Sequence, residues 1–194
     1  MRPAPASLSD AEIGAVARRI DRPIVLVGLM GAGKSTVGRK LAALLDTDFI
    51  DADEAIEQAA QLQVGEIFEQ YGESYFRDGE RRVIARLMEE GRGVIATGGG
   101  AFVNDETRAL ILDRAIAVWL DADLETLVER TGRRNHRPLL RDRDPREVLA
   151  ELAAKRNPIY AQAPIHVASR PAPHDATVRA ILAALPQSEA APCR

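Results

Sequence analysis

The chain has 194 residues, of which 46% are hydrophobic and 28% charged, and its 26 basic residues nearly balance 29 acidic ones. These values are typical of a single globular α/β domain, which at this length can bury a sizeable core without disulfide or metal crosslinks. A net charge of -3 and an aromatic content of 4% argue against a nucleic-acid-binding protein, and every apolar run is far shorter than the roughly 20 residues of a membrane helix.

The two ends of the chain differ in composition from its middle. The amino terminus contains no apolar signal core, and the lone cysteine, Cys193, has no partner for an internal disulfide; both features favour the cytoplasm. We expect residues 1–22 to be an extension with one short helix, because Ser9 and Glu12 have capping-box spacing. Residues 23–185 then form one domain, and residues 186–194 form a tail.

Short apolar runs alternate with helix-length charged segments throughout the domain. The predicted strands are Ile24–Val27, Phe49–Ile50, Gly93–Ala96, Ile116–Leu120 and Ile165–Val167. This alternation predicts a three-layer α/β/α fold with a parallel five-stranded sheet. Residues 52–91 are too long for a simple crossover and predict a helical insertion. A polar stretch from Gly132 to Arg143, which contains Gly, Asn, Pro and many Arg residues, predicts a lid.

The clearest motif lies between the first predicted strand and the helix that follows it. The segment Gly28-Leu-Met-Gly-Ala-Gly-Lys-Ser35 matches the phosphate-binding pattern G-x-x-x-x-G-K-[ST] in the context that this pattern requires. Lys34 would contact the β- and γ-phosphates, and the Ser35 hydroxyl would ligate Mg²⁺. The guanine-recognition sequence Asn/Thr-Lys-x-Asp is absent from the chain, so we expect ATP rather than GTP.

Two carboxylates follow the second predicted strand, at the sheet edge where ligands of α/β proteins bind. Asp51 would hold a water molecule on Mg²⁺, and Asp53 would orient or deprotonate an acceptor hydroxyl. Helix capping by either residue is the alternative. By spacing alone, Arg77 and Glu80 would form a surface helix pair worth about 0.2–0.5 kcal/mol. The glycine segment, Gly98–Gly100, follows the third strand and predicts close approach to a ligand.

These stretches together resemble the shikimate kinase family from about Ile24 to about Leu185. The similarity rests on an ordered series of motifs: Gly28–Thr36, Asp51-x-Asp53, Ile67-Phe68, Gly72-Glu73, Phe76-Arg77-x-x-Glu80, Gly98–Gly100, Arg137-Pro138-Leu139-Leu140 and Arg156-x-Pro158-x-Tyr160. A generic phosphate-loop protein would share the first motif alone. The resemblance implies the fold of nucleoside monophosphate kinases, with residues 52–80 as the shikimate-binding subdomain and residues 131–143 as the lid.

The same resemblance implies ATP-dependent phosphorylation of the shikimate 3-hydroxyl, a step toward chorismate and the aromatic amino acids, by a cytoplasmic monomer with no nucleic-acid or membrane partner. Its implied catalytic residues are Lys34, Asp53 and Arg137. The implied ATP site comprises Gly31, Ala32, Gly33, Lys34, Ser35, Thr36, Arg130, Arg137 and Arg170. The implied shikimate site comprises Asp53, Phe68, Phe76, Arg77, Glu80, Gly98, Gly99, Gly100, Arg137 and Arg156. Mg²⁺ would be bound by Ser35 and, through water, by Asp51.

Two other functions stay open at this stage. A different small-molecule kinase of the same fold, such as a gluconate kinase, would share the phosphate loop; the pair Arg77 and Arg156 argues against it, because such an acceptor need not use both. A catalytically silent ATP-binding regulatory module is the second alternative. The presence of Lys34, Asp51 and Asp53 argues against that one.

Overall fold

Five parallel strands form the centre of the computed structural model, which describes residues 9–91, 93–132, 143–170 and 173–185. The strands are β1 (Ile24–Val27), β2 (Asp48–Asp51), β3 (Gly93–Ala96), β4 (Ile116–Asp121) and β5 (Ile165–Ala168). Their order across the sheet is β2-β3-β1-β4-β5, and every neighbouring pair is parallel. The predicted α/β class and the five-stranded parallel sheet are confirmed.

Helices connect the strands and pack around the sheet. They are α1 (Asp10–Arg19), α2 (Lys34–Leu45), α3 (Ala52–Ala60), α4 (Val64–Glu89), α5 (Asp105–Arg114), α6 (Leu124–Gly132), α7 (Pro145–Tyr160) and α8 (His174–Ala184), with a 3₁₀ turn at Ala101–Val103. Among the described residues, no helix combines the length and the apolar character needed to cross a membrane.

The burial of each strand follows from its place in the sheet. Strands β1 and β3 are buried at every position, and β4 at all but its last, because helices cover both faces of a parallel sheet. Strand β5, at one edge, alternates between buried and exposed positions. The continuous apolar runs in the sequence therefore correspond to the central strands.

The insertion between β2 and β3 has a small apolar core of its own. Helix α4 is interrupted at Gly72, whose φ of 79° is not helical, so the insertion contains three helical segments. Ile56 from α3 packs with Ile67 and Phe76 from α4 in a cluster separate from the main core. This cluster fixes the two helices relative to each other, and with them the polar residues that they carry.

Helix α1 is an additional part of the fold, although it lies in the predicted extension. The Ser9 side chain caps it, and Glu12 completes the predicted capping box. Ile13, Val16 and Ala17 pack against the main core, and the helix contacts α2. The amphipathic pattern of the leading segment thus serves to cover one side of α2.

We expect Val16→Ala to lower the free energy of unfolding by about 1 kcal/mol, because it removes partly buried methyl groups. Urea denaturation measures the effect. The matched control is Arg19→Ala, an exposed position at the end of the same helix, where the change should stay within about 0.5 kcal/mol. Equal stability of Val16→Ala and the parent would show that the Val16 side chain adds nothing to the core.

Candidate active site

Three of the predicted site segments lie at the carboxyl ends of β1, β2 and β3, which are neighbours in the sheet. The phosphate loop follows β1, Asp51 ends β2, and the glycine segment Gly98–Gly100 follows β3. Because parallel strands end at the same edge, three segments distant in sequence come together. This edge is where open α/β sheets bind ligands.

The phosphate loop has the conformation that its sequence predicts. Gly28, Gly31 and Gly33 have φ values of 136°, 84° and 95°. Residues with a side chain rarely adopt such backbone conformations. The Lys34 ammonium group donates hydrogen bonds to the carbonyls of Gly28 (2.8 Å) and Leu29 (3.0 Å). The loop therefore leads into the amino terminus of α2, and the first backbone N–H groups of a helix attract a phosphate.

The Asp51 carboxylate accepts hydrogen bonds both from helix α3 and from the end of the phosphate-binding motif. It accepts one from the backbone N–H of Asp53 (3.1 Å), which caps α3, and another from the Ser35 hydroxyl (2.7 Å). The capping alternative is thus correct for Asp51 but incomplete. A hydroxyl and a carboxylate side by side suit Mg²⁺, which binds few protein oxygens and keeps phosphate and water as further ligands.

Asp53 lies in the first turn of α3 and faces the glycine segment. A Cβ atom on Gly98 would come within 2.7 Å of the Asp53 carboxylate, so this close contact requires glycine. Partial burial raises the pKa of Asp53, the negative charge of Asp51 raises it further, and Lys34 opposes both effects. The carboxylate is consequently a better proton acceptor than an exposed aspartate.

Arg77 is held by carboxylates on two sides of its guanidinium group. Its Nη1 donates to Glu80 at 2.7 Å, and the Glu80 side chain is only 1% exposed. Burial raises the pKa of Glu80, and Arg77 lowers it. The Nε and Nη2 atoms lie 3.4 Å from the carboxylate of Glu73, which is 71% exposed. The surface pair expected from spacing alone is therefore wrong, since Glu80 is buried.

Two aromatic rings flank the Arg77 guanidinium group. Its central carbon lies 5.1 Å from the ring centre of Phe76 and 6.0 Å from that of Phe68. The two rings are 4.5 Å apart between centres. Because Phe76 belongs to the core of the insertion and Phe68 packs against that core, the two rings limit the positions open to the guanidinium group.

The glycine segment is the place where the candidate acceptor residues meet. Arg156, on α7, donates from Nη1 to the Gly99 carbonyl at 3.1 Å, while Asp53 faces Gly98. A Cβ atom on Gly100 would collide with the guanidinium group of Arg77. The three side chains thus lie around one backbone segment. A Cβ atom on Gly99 would be 3.6 Å from the backbone nitrogen of Met30 in the phosphate loop. The candidate acceptor residues are therefore next to the phosphate loop.

Arg130 supports the phosphate loop from the other side. Its guanidinium group lies 3.4 Å from the carbonyls of Gly31 and Ala32, 2.9 Å from the Ser169 hydroxyl and 2.7 Å from the Arg170 carbonyl. Thr36, in the first turn of α2, and Arg170 are exposed. Arg137 and residues 133–142 of the predicted lid lie outside the described residues.

Three residues absent from the predicted site contact it. The Ser169 hydroxyl donates to the Ala32 carbonyl at 2.8 Å. The imidazole of His174 lies beside Gly33, and burial, followed by the charge of Arg130, lowers the pKa of His174. The Tyr160 hydroxyl donates to the Gly99 carbonyl. The Arg156-x-Pro158-x-Tyr160 motif contained a signal for Tyr160, whereas no motif pointed to the other two.

A family model, related sequences and solved structures that match this chain include shikimate kinases. The family model described as shikimate kinase matches residues 30–186. A shikimate kinase from Novosphingobium aromaticivorans is 60% identical over 186 residues, covering 94% of this chain and 96% of that protein. The solved shikimate kinase from Acinetobacter baumannii in complex with shikimate is 35% identical, with a TM-score of 0.75 and coverage of 88% of this chain and 93% of that one.

A gluconokinase from Sinorhizobium meliloti 1021 is a more distant structural relative. It is 20% identical, with a TM-score of 0.60 and coverage of 87% of this chain and 93% of that chain. This likeness shows a shared fold.

Proposed function

The chain belongs to the shikimate kinase family, and from that premise we propose how its own residues transfer the γ-phosphoryl group of ATP to the 3-hydroxyl of shikimate. The products are shikimate 3-phosphate and ADP, on the route to chorismate and the aromatic amino acids. The proposal rests on one observation: Asp53, Arg77 and Arg156 surround the segment Gly98–Gly100 beside the phosphate loop.

Arg77 and Arg156 bind the shikimate carboxylate at one end of this acceptor site. Guanidinium groups match a carboxylate with paired, charge-assisted hydrogen bonds. Glu80 fixes one edge of Arg77, and the rings of Phe68 and Phe76 flank it. A fixed carboxylate orients the rest of the ligand, so the binding energy at this end places the distant hydroxyl in line with the γ-phosphate.

Asp53 acts at the other end of the acceptor. Its carboxylate accepts a hydrogen bond from the 3-hydroxyl and takes the proton as the new bond from oxygen to phosphorus forms. The bond between the γ-phosphorus and the bridging oxygen of ATP breaks, and ADP leaves. The transfer is direct from ATP to the acceptor, without a phosphorylated enzyme.

The donor side positions ATP and balances its charge. Lys34 and the backbone N–H groups of the phosphate loop bind the phosphates. We assign Arg130 and Arg170 to the adenine end, as the family resemblance implies. We assign the lid arginine, Arg137, to the transferred phosphate. Mg²⁺, bound by the Ser35 hydroxyl and through water by Asp51, would neutralise phosphate charge.

The proposed base predicts a specific pH dependence. Because burial and Asp51 raise the pKa of Asp53, a larger fraction of this carboxyl is protonated at mildly acidic pH than in an exposed aspartate. We expect the acid limb of kcat/KM for shikimate to lie above the reference aspartate pKa of about 3.9. Steady-state rates across pH measure it, with circular dichroism to verify folding. An acid limb at or below the reference value would contradict this assignment.

A coupled ADP-release assay with a panel of acceptors tests the substrate. We expect turnover with shikimate and little or none with gluconate or nucleoside monophosphates. Turnover with gluconate alone would favour the alternative kinase, and ATP binding without any turnover would favour a silent module.

We further propose a cytoplasmic monomer without a nucleic-acid or membrane partner, and sedimentation of the purified chain measures its oligomeric state.

A further inference from the structure

Tyr160, the last residue of α7, reaches the same backbone carbonyl as Arg156. Its hydroxyl donates to the Gly99 carbonyl, which also accepts the hydrogen bond from Arg156. We propose that Tyr160 is a positioning residue for shikimate, because its hydroxyl fixes the Gly99 peptide and thereby the place of the Arg156 guanidinium group. This inference rests on the proposed function, since it takes Arg156 to bind the shikimate carboxylate.

The two donors together saturate one acceptor. A backbone carbonyl has two lone pairs, and here one receives a guanidinium N–H and the other a phenolic O–H. The two side chains lie four residues apart on α7 and therefore on the same face of the helix. With both bonds in place, the Gly99 peptide cannot rotate without breaking at least one of them.

Packing alone does not account for a tyrosine at this position. Tyr160 is 0% exposed, and the ring centres of Phe102 and Trp119 lie 6.4 Å and 6.2 Å from that of Tyr160. A phenylalanine would fill the same space without the cost of burying a hydroxyl. Burial raises the pKa of Tyr160, so the phenol keeps its proton and remains a donor.

The position of Gly99 determines which kinetic constant depends on this bond. Its neighbours, Gly98 and Gly100, are in close contact with Asp53 and Arg77. A shift of the glycine segment would therefore misplace groups on the acceptor side. Lys34 is hydrogen-bonded to carbonyls of the phosphate loop itself, so ATP binding should depend much less on Tyr160.

The test is Tyr160→Phe in the full chain, which removes the hydroxyl and keeps the ring. We expect the KM for shikimate to rise about tenfold, the factor equivalent to about 1.4 kcal/mol, with the KM for ATP and the melting temperature nearly unchanged. The matched control is Tyr75→Phe on exposed Tyr75, which should leave both KM values unchanged. When added to Arg156→Ala, Tyr160→Phe should raise the KM by clearly less than tenfold, because both side chains act on one carbonyl.

The possible outcomes separate this inference from the proposed function. If the parent enzyme phosphorylates shikimate and Arg156→Ala raises its KM, but Tyr160→Phe leaves that KM unchanged, the positioning role is wrong and the function stands. A lower melting temperature with unchanged KM values would likewise reduce Tyr160 to a packing residue. No turnover of shikimate by the parent enzyme would overturn both proposals.

Discussion

Asp53→Asn is expected to lower kcat for shikimate phosphorylation by a factor on the order of 10²–10⁴, the usual contribution of a general base. Asparagine has nearly the same shape, and its amide oxygen still accepts a hydrogen bond from the hydroxyl. It cannot take the proton, however, so the loss appears in the rate of transfer. ATP binding should be preserved, because the nucleotide contacts involve the phosphate loop and not this side chain.

Single-turnover kinetics measure the rate of transfer, and calorimetry measures the affinity for ATP. The matched control is Glu54→Gln, which neutralises the adjacent, exposed carboxylate of the same helix and should leave kcat unchanged. Equal losses of rate and of ATP affinity in Asp53→Asn would contradict the role of Asp53 as the base.

Thermal unfolding separates this loss of rate from a loss of folding. Folding raises the pKa of the Asp53 carboxyl group. Its contribution to stability is fully present below the pKa that the group has in the unfolded chain, and it is lost as the pH rises through the pKa that the group has in the folded chain. At neutral pH, ionised Asp53 therefore costs stability. The Asn variant should be at least as stable as the parent at pH 7, so lower activity cannot reflect unfolding.

Arg156→Ala is expected to raise the KM for shikimate by a factor on the order of 10²–10⁴. Hydrogen bonds to charged groups contribute about 1.5–3 kcal/mol each, and the variant loses paired bonds to the ligand carboxylate. The effect should appear mainly in KM at saturating ATP, because the carboxylate is distant from the reacting atoms. The KM for ATP should change little.

Lys155→Ala provides the comparison within the same helix. Lys155 is exposed, so removal of its charge tests whether a general positive field, rather than the placed guanidinium group, attracts the anion. We expect this variant to have the parent KM at physiological ionic strength, since exposed charges are well screened there. Similar increases in KM for the two variants would show that Arg156 makes no specific contact with the acceptor.

The fold and the phosphate loop were predictable from local patterns in the sequence. The helix expected after the phosphate loop is α2, from Lys34 to Leu45, and its glycines, lysine and apolar spacing all act within a dozen residues. The same is true of the strands Ile24–Val27 and Gly93–Ala96. The order of the strands, by contrast, depends on pairings between distant segments that periodicity does not describe.

The acceptor side depended on contacts that local patterns do not contain. Spacing suggested a surface pair for Arg77 and Glu80, because it shows which residues share a helix face but not what packs against that face. Arg156 was indistinguishable from a surface residue until α7 was placed against Gly99, which is 57 residues away in the chain. For Arg77 and Arg156, the role in binding the acceptor came from the family resemblance and not from local sequence patterns.

The chain contains a single tryptophan, Trp119. Its indole ring stacks on His166 at 4.2 Å between ring centres, neighbours Tyr160, and faces Gly28 at the start of the phosphate loop. This one native fluorophore thus neighbours both Tyr160, beside the candidate acceptor residues, and the start of the phosphate loop. We expect its emission to change when ATP or the acceptor binds, which would allow the occupancy of each ligand to be titrated without turnover.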